Sequence, residues 1–154
     1  MLRQSFLICM LLVTCNNKDT RLEKKFFSLP PAERTAIMRS SSLEDQYKIF
    51  RYGMDKREPP VLSLAEPIAQ RGSTAIPFLT EQLKSTTDDA AVRDILWVLK
   101  RMADDYTYDL KQNGILVGIL QKRISRMKSA WWQSYCQDNL EEIISKTRDR
   151  TIEK

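Results

Sequence analysis

The chain has 154 residues, of which 42% are hydrophobic and 29% charged, and this ordinary globular composition excludes a disordered chain. Its formal net charge of +5 favours an acidic partner but does not identify that partner. The sequence contains no histidine, which excludes Ser-His and Cys-His nucleophile pairs and most zinc sites.

The first segment of the chain has the order of an export signal. Arg3 supplies a fixed positive charge near the start, and residues 6–13 form an unbroken apolar run. This run is too short to cross a bilayer, because a spanning helix needs about 20 apolar residues. A positive start followed by a short apolar core is instead typical of a cleaved signal peptide.

The apolar run leads into Leu12-Val13-Thr14-Cys15. This tetrapeptide resembles the lipobox of bacterial lipoproteins, with Thr14 in the place where Gly, Ala or Ser is usual. The resemblance implies that the Cys15 thiol receives a diacylglycerol and that the chain is cut just before this residue. The alternative is an amphipathic N-terminal helix in which the cysteine has no special role.

The lipobox resemblance implies domain boundaries and a location. It predicts a signal peptide over 1–14, a lipidated cysteine with its tether over 15–20, and a folded domain over 21–154. It places the protein in the bacterial cell envelope, attached to the membrane through lipid on Cys15. Because Asn16 follows the cysteine, and Asp is the inner-membrane signal in enteric-type bacteria, the outer membrane is favoured if the host has one.

The residues after the lipidated cysteine are rich in positive charge. A basic residue near an anionic membrane surface contributes about 1 kcal/mol of attraction, so contact with anionic lipid is one interpretation. A solvated first helix is the other. The basic residues concerned are Lys18, Arg21, Lys24 and Lys25.

The cysteine count excludes a disulfide within the mature domain. Three cysteines are present, and Cys9 leaves with the signal while Cys15 carries lipid, so only Cys136 remains. Cys136 lies among apolar residues at helical spacing, which predicts a buried thiol packed as a small hydrophobe.

The rest of the sequence predicts about eight helices and no sheet, because apolar residues recur at spacings of three and four. Serine and aspartate cap helix starts, whereas a proline or glycine ends helices. Two stop signals follow from this rule, Glu58-Pro59-Pro60 and Gly72. The predicted helix starts are Ser28, Ser41 with Glu44, Leu62, Ser73, and Thr86 to Asp88.

Residues 71–102 resemble a HEAT-like repeat, in which a helix containing proline is followed by a turn and an Asp-x-x-Val-Arg start to a second helix. Pro77, Asp89 and Arg93 match this pattern. The resemblance implies that Asp89 and Arg93 hydrogen-bond near the turns between repeats, a structural role. It predicts an all-α domain built as a short solenoid of helical hairpins, with 29–54 and 113–147 as degenerate or capping repeats. A non-repetitive helix bundle is the alternative.

A basic stretch without any acidic residue runs over 110–137. Basic residues beside amphipathic aromatics suit an acidic protein patch or phosphate-bearing lipid heads. The alternative is a solvated charged face over core aromatics. Adjacent tryptophans cannot both face one core, so at least one is expected to be exposed. The candidate binding residues are Lys122, Arg123, Arg126, Lys128 and Trp132.

No pattern of catalytic residues is visible in the sequence. Nucleophile–base pairs, metal-ligand spacings and a glycine-rich nucleotide loop are all missing, so we expect no catalysis, no metal and no cofactor. The acidic link over 104–109 matches no calcium-loop spacing and is interpreted as a solvated turn.

We therefore expect a membrane-anchored envelope lipoprotein that acts as a non-catalytic protein-interaction module. Its partner would be an envelope protein that the sequence does not name, and export argues against nucleic acid. The alternative is a protective lipoprotein, for immunity or phage exclusion, that binds an incoming toxin or phage component.

Overall fold

A computed structural model describes residues 19–146 of the protein. These residues form eight α-helices and no strand, which confirms the predicted all-α class with about eight helices. The segment predicted as a signal peptide and Cys15 lie outside the described residues. The helices are α1 (Asp19–Ser28), α2 (Pro31–Ser40), α3 (Leu43–Lys56), α4 (Ala65–Ala69), α5 (Ile76–Ser85), α6 (Asp89–Asp104), α7 (Gly114–Ile124) and α8 (Ala130–Ser145).

Helix α1 begins inside the segment that was predicted as a tether, 15–20. It is not a fully solvated helix, because Phe26 and Phe27 are buried against the core. Lys24 and Lys25 are exposed on the same helix. The amphipathic pattern explains this arrangement, since apolar side chains on one face of a surface helix pack inward and charged ones remain in water.

The predicted start of α6 is confirmed. The Asp88 carboxylate accepts a hydrogen bond from the Ala90 backbone N–H at 3.0 Å, as expected of a capping aspartate. Helix α3 is also present, but its cap is Ser42, whose hydroxyl accepts from the Asp45 N–H at 3.1 Å. Ser41, the predicted cap, ends α2 instead, because its N–H and its hydroxyl both donate to the Ile37 carbonyl.

Two other predicted serine caps are wrong. Ser28 is the last residue of α1, where its hydroxyl donates to the Lys25 carbonyl at 2.7 Å, and Pro30 precedes α2. Ser73 lies inside a 3-10 turn, Gly72–Ala75, and α5 starts after that turn. In both places the hydroxyl group lies outside the position from which it could accept a bond from the first helical turn.

The helix predicted from Leu62 to Gln70 is split into two pieces. A 3-10 turn, Leu62–Leu64, leads into the short helix α4. Gly72 follows with a positive φ of 56°, and a Cβ atom there would lie 2.7 Å from the Thr107 carbonyl oxygen. Glycine is therefore required at this position both by the backbone and by the close approach of the neighbouring chain.

The helices pack in a connected series around one core. Helix α1 contacts α2 and α3, α3 contacts α4 and α6, and α4 also contacts α6. Further along, α5 packs against α6 and α7, while α8 packs against α6 and α7. The core is built from aliphatic and aromatic side chains of all eight helices, including Phe50, Ile68, Leu79, Leu99, Leu120 and Leu140.

Polar contacts tie the N-terminal helices to the middle of the domain. The Arg71 guanidinium donates to the Gln46 side-chain oxygen at 2.8 Å and to the Ser41 carbonyl at 2.8 Å. The Thr107 hydroxyl donates to the Ala69 carbonyl at 2.8 Å. The bonds to Ser41 and Ala69 give partners to backbone carbonyls at helix ends.

Helices two apart in sequence pack on each other, since α5 contacts α7 and α6 contacts α8. A HEAT-like solenoid would contain such contacts, and the assignment of the fold to that class stays a prediction. Among residues 19–146, the structure has no helix that combines the length and the apolar character needed to cross a bilayer.

Candidate functional site

The candidate site lies at the end of the α7–α8 helix pair where the two helices are joined. Lys122 is in the last turn of α7, Arg126 and Lys128 are in the link, and Trp131 is in the first turn of α8. All four side chains are exposed. We call these four residues the basic–aromatic face. Three exposed cations and one exposed aromatic ring thus lie in the same segment, from the end of α7 to the start of α8.

Two residues of the predicted surface have other roles. Arg123 is partly buried, and its guanidinium donates to the Thr86 carbonyl in the link between α5 and α6. Arg123 therefore joins two helix pairs, and its charge is less available to a partner. Trp132 is also partly buried and packs against the core.

The exposed tryptophan of the adjacent pair is Trp131, not the predicted Trp132. The Trp131 side chain is 65% exposed, which is unusual for so large an apolar group. The expectation that one tryptophan of the pair is exposed is confirmed, but sequence analysis chose the other ring. Neighbouring residues on a helix point about 100° apart, which explains why only one of the two rings is exposed, but which ring that is depends on packing.

Three aromatic rings hold each other in place at the start of α8. Trp131 stacks on Tyr135 with ring centroids 5.6 Å apart and an angle of 8° between the planes. Trp132 meets Trp131 edge to face, with centroids 4.4 Å apart, and also meets Tyr135 edge to face. Such pairs add about 0.5–1.5 kcal/mol beyond area burial, so the exposed ring has a defined orientation.

Arg93 of α6 packs against this aromatic cluster. The Arg93 guanidinium carbon lies 4.7 Å from the centroid of the Trp132 ring. The same guanidinium contacts one oxygen of Asp94, with Nε and Nη2 at 2.7 and 2.6 Å. Asp94 is completely buried and also pairs with Arg51 of α3. Arg51 in turn bonds to the Asp88 carboxylate at 2.6 Å.

Burial and charge act against each other in this ion cluster. Burial raises the pKa of the Asp94 carboxyl, while Arg93 and Arg51 act in the opposite direction. Burial disfavours the charged form of Arg51, but its carboxylate neighbours outweigh this effect and the pKa of the guanidinium is raised. The raised pKa of Asp94 favours the neutral carboxyl, whereas the raised pKa of Arg51 favours the charged guanidinium. We take Asp94 as ionised at neutral pH, because two guanidinium groups bond to it.

The link between α7 and α8 is fixed by Asp89 at the start of α6. The Asp89 carboxylate accepts hydrogen bonds from the backbone N–H of Lys128 at 2.8 Å and of Ser129 at 3.4 Å. The Ser129 hydroxyl then caps α8 by accepting from the Trp132 N–H at 3.3 Å. Asp89 thus sets the position of the basic–aromatic face relative to α6.

The three residues expected to have a structural role in the repeat lie in different surroundings. Asp89 and Arg93 both contact the α7–α8 unit, as described above. Pro77 is exposed near the start of α5, where a missing N–H leaves no helical bond unmade. Cys136 is fully buried as predicted, and burial raises the pKa of its thiol to about 11.

Among residues 19–146, no group of three or more His, Cys, Asp or Glu side chains is placed to hold a metal ion. A groove of about 330 Å³ runs beside the basic–aromatic face between the end of α7 and α8, lined by Ser125, Gln133, Ser134 and Gln137 among others. Ile124 and Ala130 complete its lining, which therefore combines polar and apolar groups.

No protein-family model matches this chain, and neither a curated protein nor a solved structure matches it.

Proposed function

We propose that the protein is a lipid-anchored component of the bacterial cell envelope that binds an acidic protein partner through its basic–aromatic face. The observation that carries this proposal is the 65% exposed ring of Trp131, which contacts two other aromatic rings and lies in the same helix–link–helix segment as three exposed cations. Tryptophan and arginine are enriched among the residues that dominate protein–protein binding energy. The lipid anchor rests on the lipobox resemblance at Cys15.

The rigidity of the aromatic cluster supports a binding role. Ordering a mobile side chain on association costs about 0.5–1.5 kcal/mol, and this cost falls when the free protein already holds the bound orientation. Trp131 is stacked on Tyr135 in the free chain, so its ring needs little further ordering. The supporting Arg93 is in turn fixed by a fully buried carboxylate.

The charges around Trp131 supply a second part of the recognition. Lys122, Arg126 and Lys128 are exposed, and no acidic residue occurs in the sequence between Leu110 and Gln137. Exposed charges of one sign steer an oppositely charged partner and raise the association rate, an effect that salt weakens. An acidic partner should therefore associate more slowly at high ionic strength.

The proposal is tested by affinity capture of the tagged, full-length protein from solubilised membranes after crosslinking in living cells. The variant Trp131→Ala should lose at least about 2 kcal/mol of binding energy, which is about 30-fold in affinity. Leu62→Ala is the matched control, because Leu62 is a large apolar residue 42% exposed outside the face. Equal capture by wild type and Trp131→Ala would contradict the proposal.

Charge-reversal variants test the contribution of the basic side chains in the same experiment. Lys128→Glu should reduce capture and its dependence on salt, whereas Lys84→Glu on α5 should not, since that side chain is 53% exposed but lies outside the face. A wild-type partner that is present only after challenge with a toxin or phage would favour the protective alternative over a resident envelope partner. Cys15→Ala tests whether capture requires the lipid anchor.

A further inference from the structure

A second surface feature lies on the opposite half of the chain, in a groove between α1, α3 and α5. The groove has a volume of about 370 Å³, within the range of small-molecule sites. Its walls include Glu23 of α1, the aromatic residues Tyr47, Tyr52 and Phe78, and charged residues of α3. None of these residues belongs to the basic–aromatic face, so the two features are independent.

Glu23 is the unusual member of this lining. The residue is only 7% exposed, and its Oε2 atom has no hydrogen-bond donor. A buried carboxylate oxygen without a donor destabilises the folded chain, because the water that solvated it has not been replaced. An unpaired buried polar group needs an explanation, and a ligand in the groove that Glu23 lines is one that can be tested.

The cations that line the groove are already paired with other carboxylates. Lys48 contacts Glu44 at 3.2 Å and Lys56 contacts Asp55 at 2.6 Å. The third cation, Arg51, bonds to Asp88 and Asp94. Among the described residues these pairs leave Glu23 as the carboxylate of the lining without a cation. The lining holds three cationic and three carboxylate side chains and so has no net formal charge, and Glu23 is the carboxylate that lacks a bonded cation within residues 19–146.

The aromatic walls are also suited to a positive charge. Tyr47 packs edge to face on Phe78 with centroids 5.4 Å apart, and Tyr52 stacks on Phe27 at 5.5 Å. Aromatic faces attract organic cations, by about 0.5–1 kcal/mol at exposed sites and more where the cation is desolvated. Burial raises the pKa of the Tyr47 phenol to about 12, so this wall stays neutral at physiological pH.

We propose that the groove binds an organic cation that carries N–H donors, an alkylammonium group, with Glu23 as its counter-ion and the tyrosines as its walls. The carboxylate torsion of a glutamate is broad and two-fold, so rotation about the Cγ–Cδ bond can bring either oxygen toward the groove. An N–H donor in the groove would bond to the oxygen that faces it. Among residues 19–146, the carboxylates of this groove are not grouped closely enough to hold a metal ion.

The test is a titration of the purified full chain with butylammonium chloride, followed by the chemical shifts of groove residues in NMR spectra. We expect saturable shifts for residues around Tyr47 and Tyr52, and none with butanol, which lacks the charge. Tetramethylammonium has the charge but no N–H donor and should bind at least about fivefold more weakly. This comparison uses only the wild-type chain and so does not depend on how a variant folds.

Variants then assign the effect to Glu23. Glu23→Gln should weaken butylammonium binding at least about tenfold, because it removes the charge and keeps the shape. Glu44→Gln is the control, since Glu44 lines the same groove but is exposed and paired with Lys48; we expect less than about a twofold change. Folding of both variants is checked by circular dichroism.

Several outcomes would overturn the proposal. Shifts that do not saturate, equal binding of tetramethylammonium, or equal binding to Glu23→Gln would each contradict it. A rise in Tm for Glu23→Gln without any amine binding to the wild type would show that Glu23 is only a destabilising buried charge. A lysine blocked at both ends distinguishes the source of the ligand: tighter binding than butylammonium indicates a partner's lysine side chain, and weaker binding indicates a small free amine.

Discussion

Helices α3 and α7 differ in how closely other residues pack around their glycines and in how much apolar surface they expose. In α3, Gly53 is buried, and an added Cβ would lie 2.8 Å from a Leu64 methyl carbon and 3.2 Å from the Phe27 ring. In α7, Gly118 has nothing within 4 Å of the same position, and Ile115 is 80% exposed. Helix α3 is thus enclosed by its neighbours, whereas α7 keeps one side open to solvent.

This difference indicates that α3 and the α7–α8 pair have different roles in the domain. Helix α3 contacts α1, α4 and α6 and pairs with the buried Asp94 through Arg51, so it supports the fold. The α7–α8 pair is held by Asp89 and Arg93 on its inner side and presents the basic–aromatic face on its outer side. Substitutions on the enclosed side should therefore change stability, and those on the open side should change binding.

The largest expected effect is that of Asp94→Ala. The substitution leaves Arg51 and Arg93 partly buried without their shared carboxylate, and the free energy of unfolding should fall by about 3–5 kcal/mol. Urea denaturation followed by circular dichroism measures the change. The control is Asp55→Ala, which removes a fully exposed ion pair with Lys56 and should leave the urea midpoint unchanged. Equal stability of Asp94→Ala and wild type would contradict the role of the cluster.

The second-largest loss of stability is expected from a substitution at Gly53, where neighbouring side chains pack closely. Gly53→Ala should lower the free energy of unfolding by about 1–3 kcal/mol, because Leu64 and Phe27 must move to admit the methyl group. The higher helix propensity of alanine, about 1 kcal/mol, acts in the opposite direction, and both crowding atoms are the ends of side chains, so we expect a net loss at the low end of this range. Thermal denaturation gives the comparison. A more stable Gly53→Ala protein would show that α3 is less enclosed than described.

The hydrogen bonds from Asp89 should contribute less than the buried ion cluster. Asp89→Ala removes the acceptor for the Lys128 and Ser129 N–H groups and should lower the free energy of unfolding by about 1–2 kcal/mol. Asp89→Asn keeps an acceptor oxygen and should recover part of this loss. If the two variants lose the same stability, the carboxylate does not act through these bonds.

The smallest effect, and the opposite in sign, is expected for Gly118→Ala on the open side of α7. The methyl group meets no other atom, and alanine reduces the conformational freedom of the unfolded chain, so stability should rise by about 0.5–1 kcal/mol. Measured beside Gly53→Ala, this variant makes a matched pair with the same chemical change. A loss of stability would mean that the outer side of α7 is covered.

Much of the helical architecture could be predicted from periodicity and capping residues. The Asp88 cap and the buried Cys136 follow from local sequence alone. Local sequence does not show whether Ser41 or Ser42 caps α3. Either serine could do so, and the outcome depends on where α2 ends. The 3-10 turn before α5 could also not be predicted from local sequence, because it lies where the chain passes close to Thr107.

The candidate site was only partly accessible to sequence reasoning. The basic stretch and the expected exposure of one tryptophan were visible, but the identity of that tryptophan depends on packing. Trp132 points inward because Arg93, fixed by buried Asp94, lies over its ring. Arg123 looked like a surface cation, yet it bonds to the Thr86 carbonyl on another helix pair. Such long-range contacts leave no mark in local spacing.

Site-specific photocrosslinking in living cells tests whether Trp131 contacts an acidic protein partner. A photoreactive phenylalanine analogue is placed at position 131 in one sample and at position 62 in another, both in the full-length protein. We predict one discrete crosslinked protein from position 131, none from position 62, and loss of the product when Lys122, Arg126 and Lys128 are changed to Glu. No product at position 131, or the same product from both positions, would contradict the account.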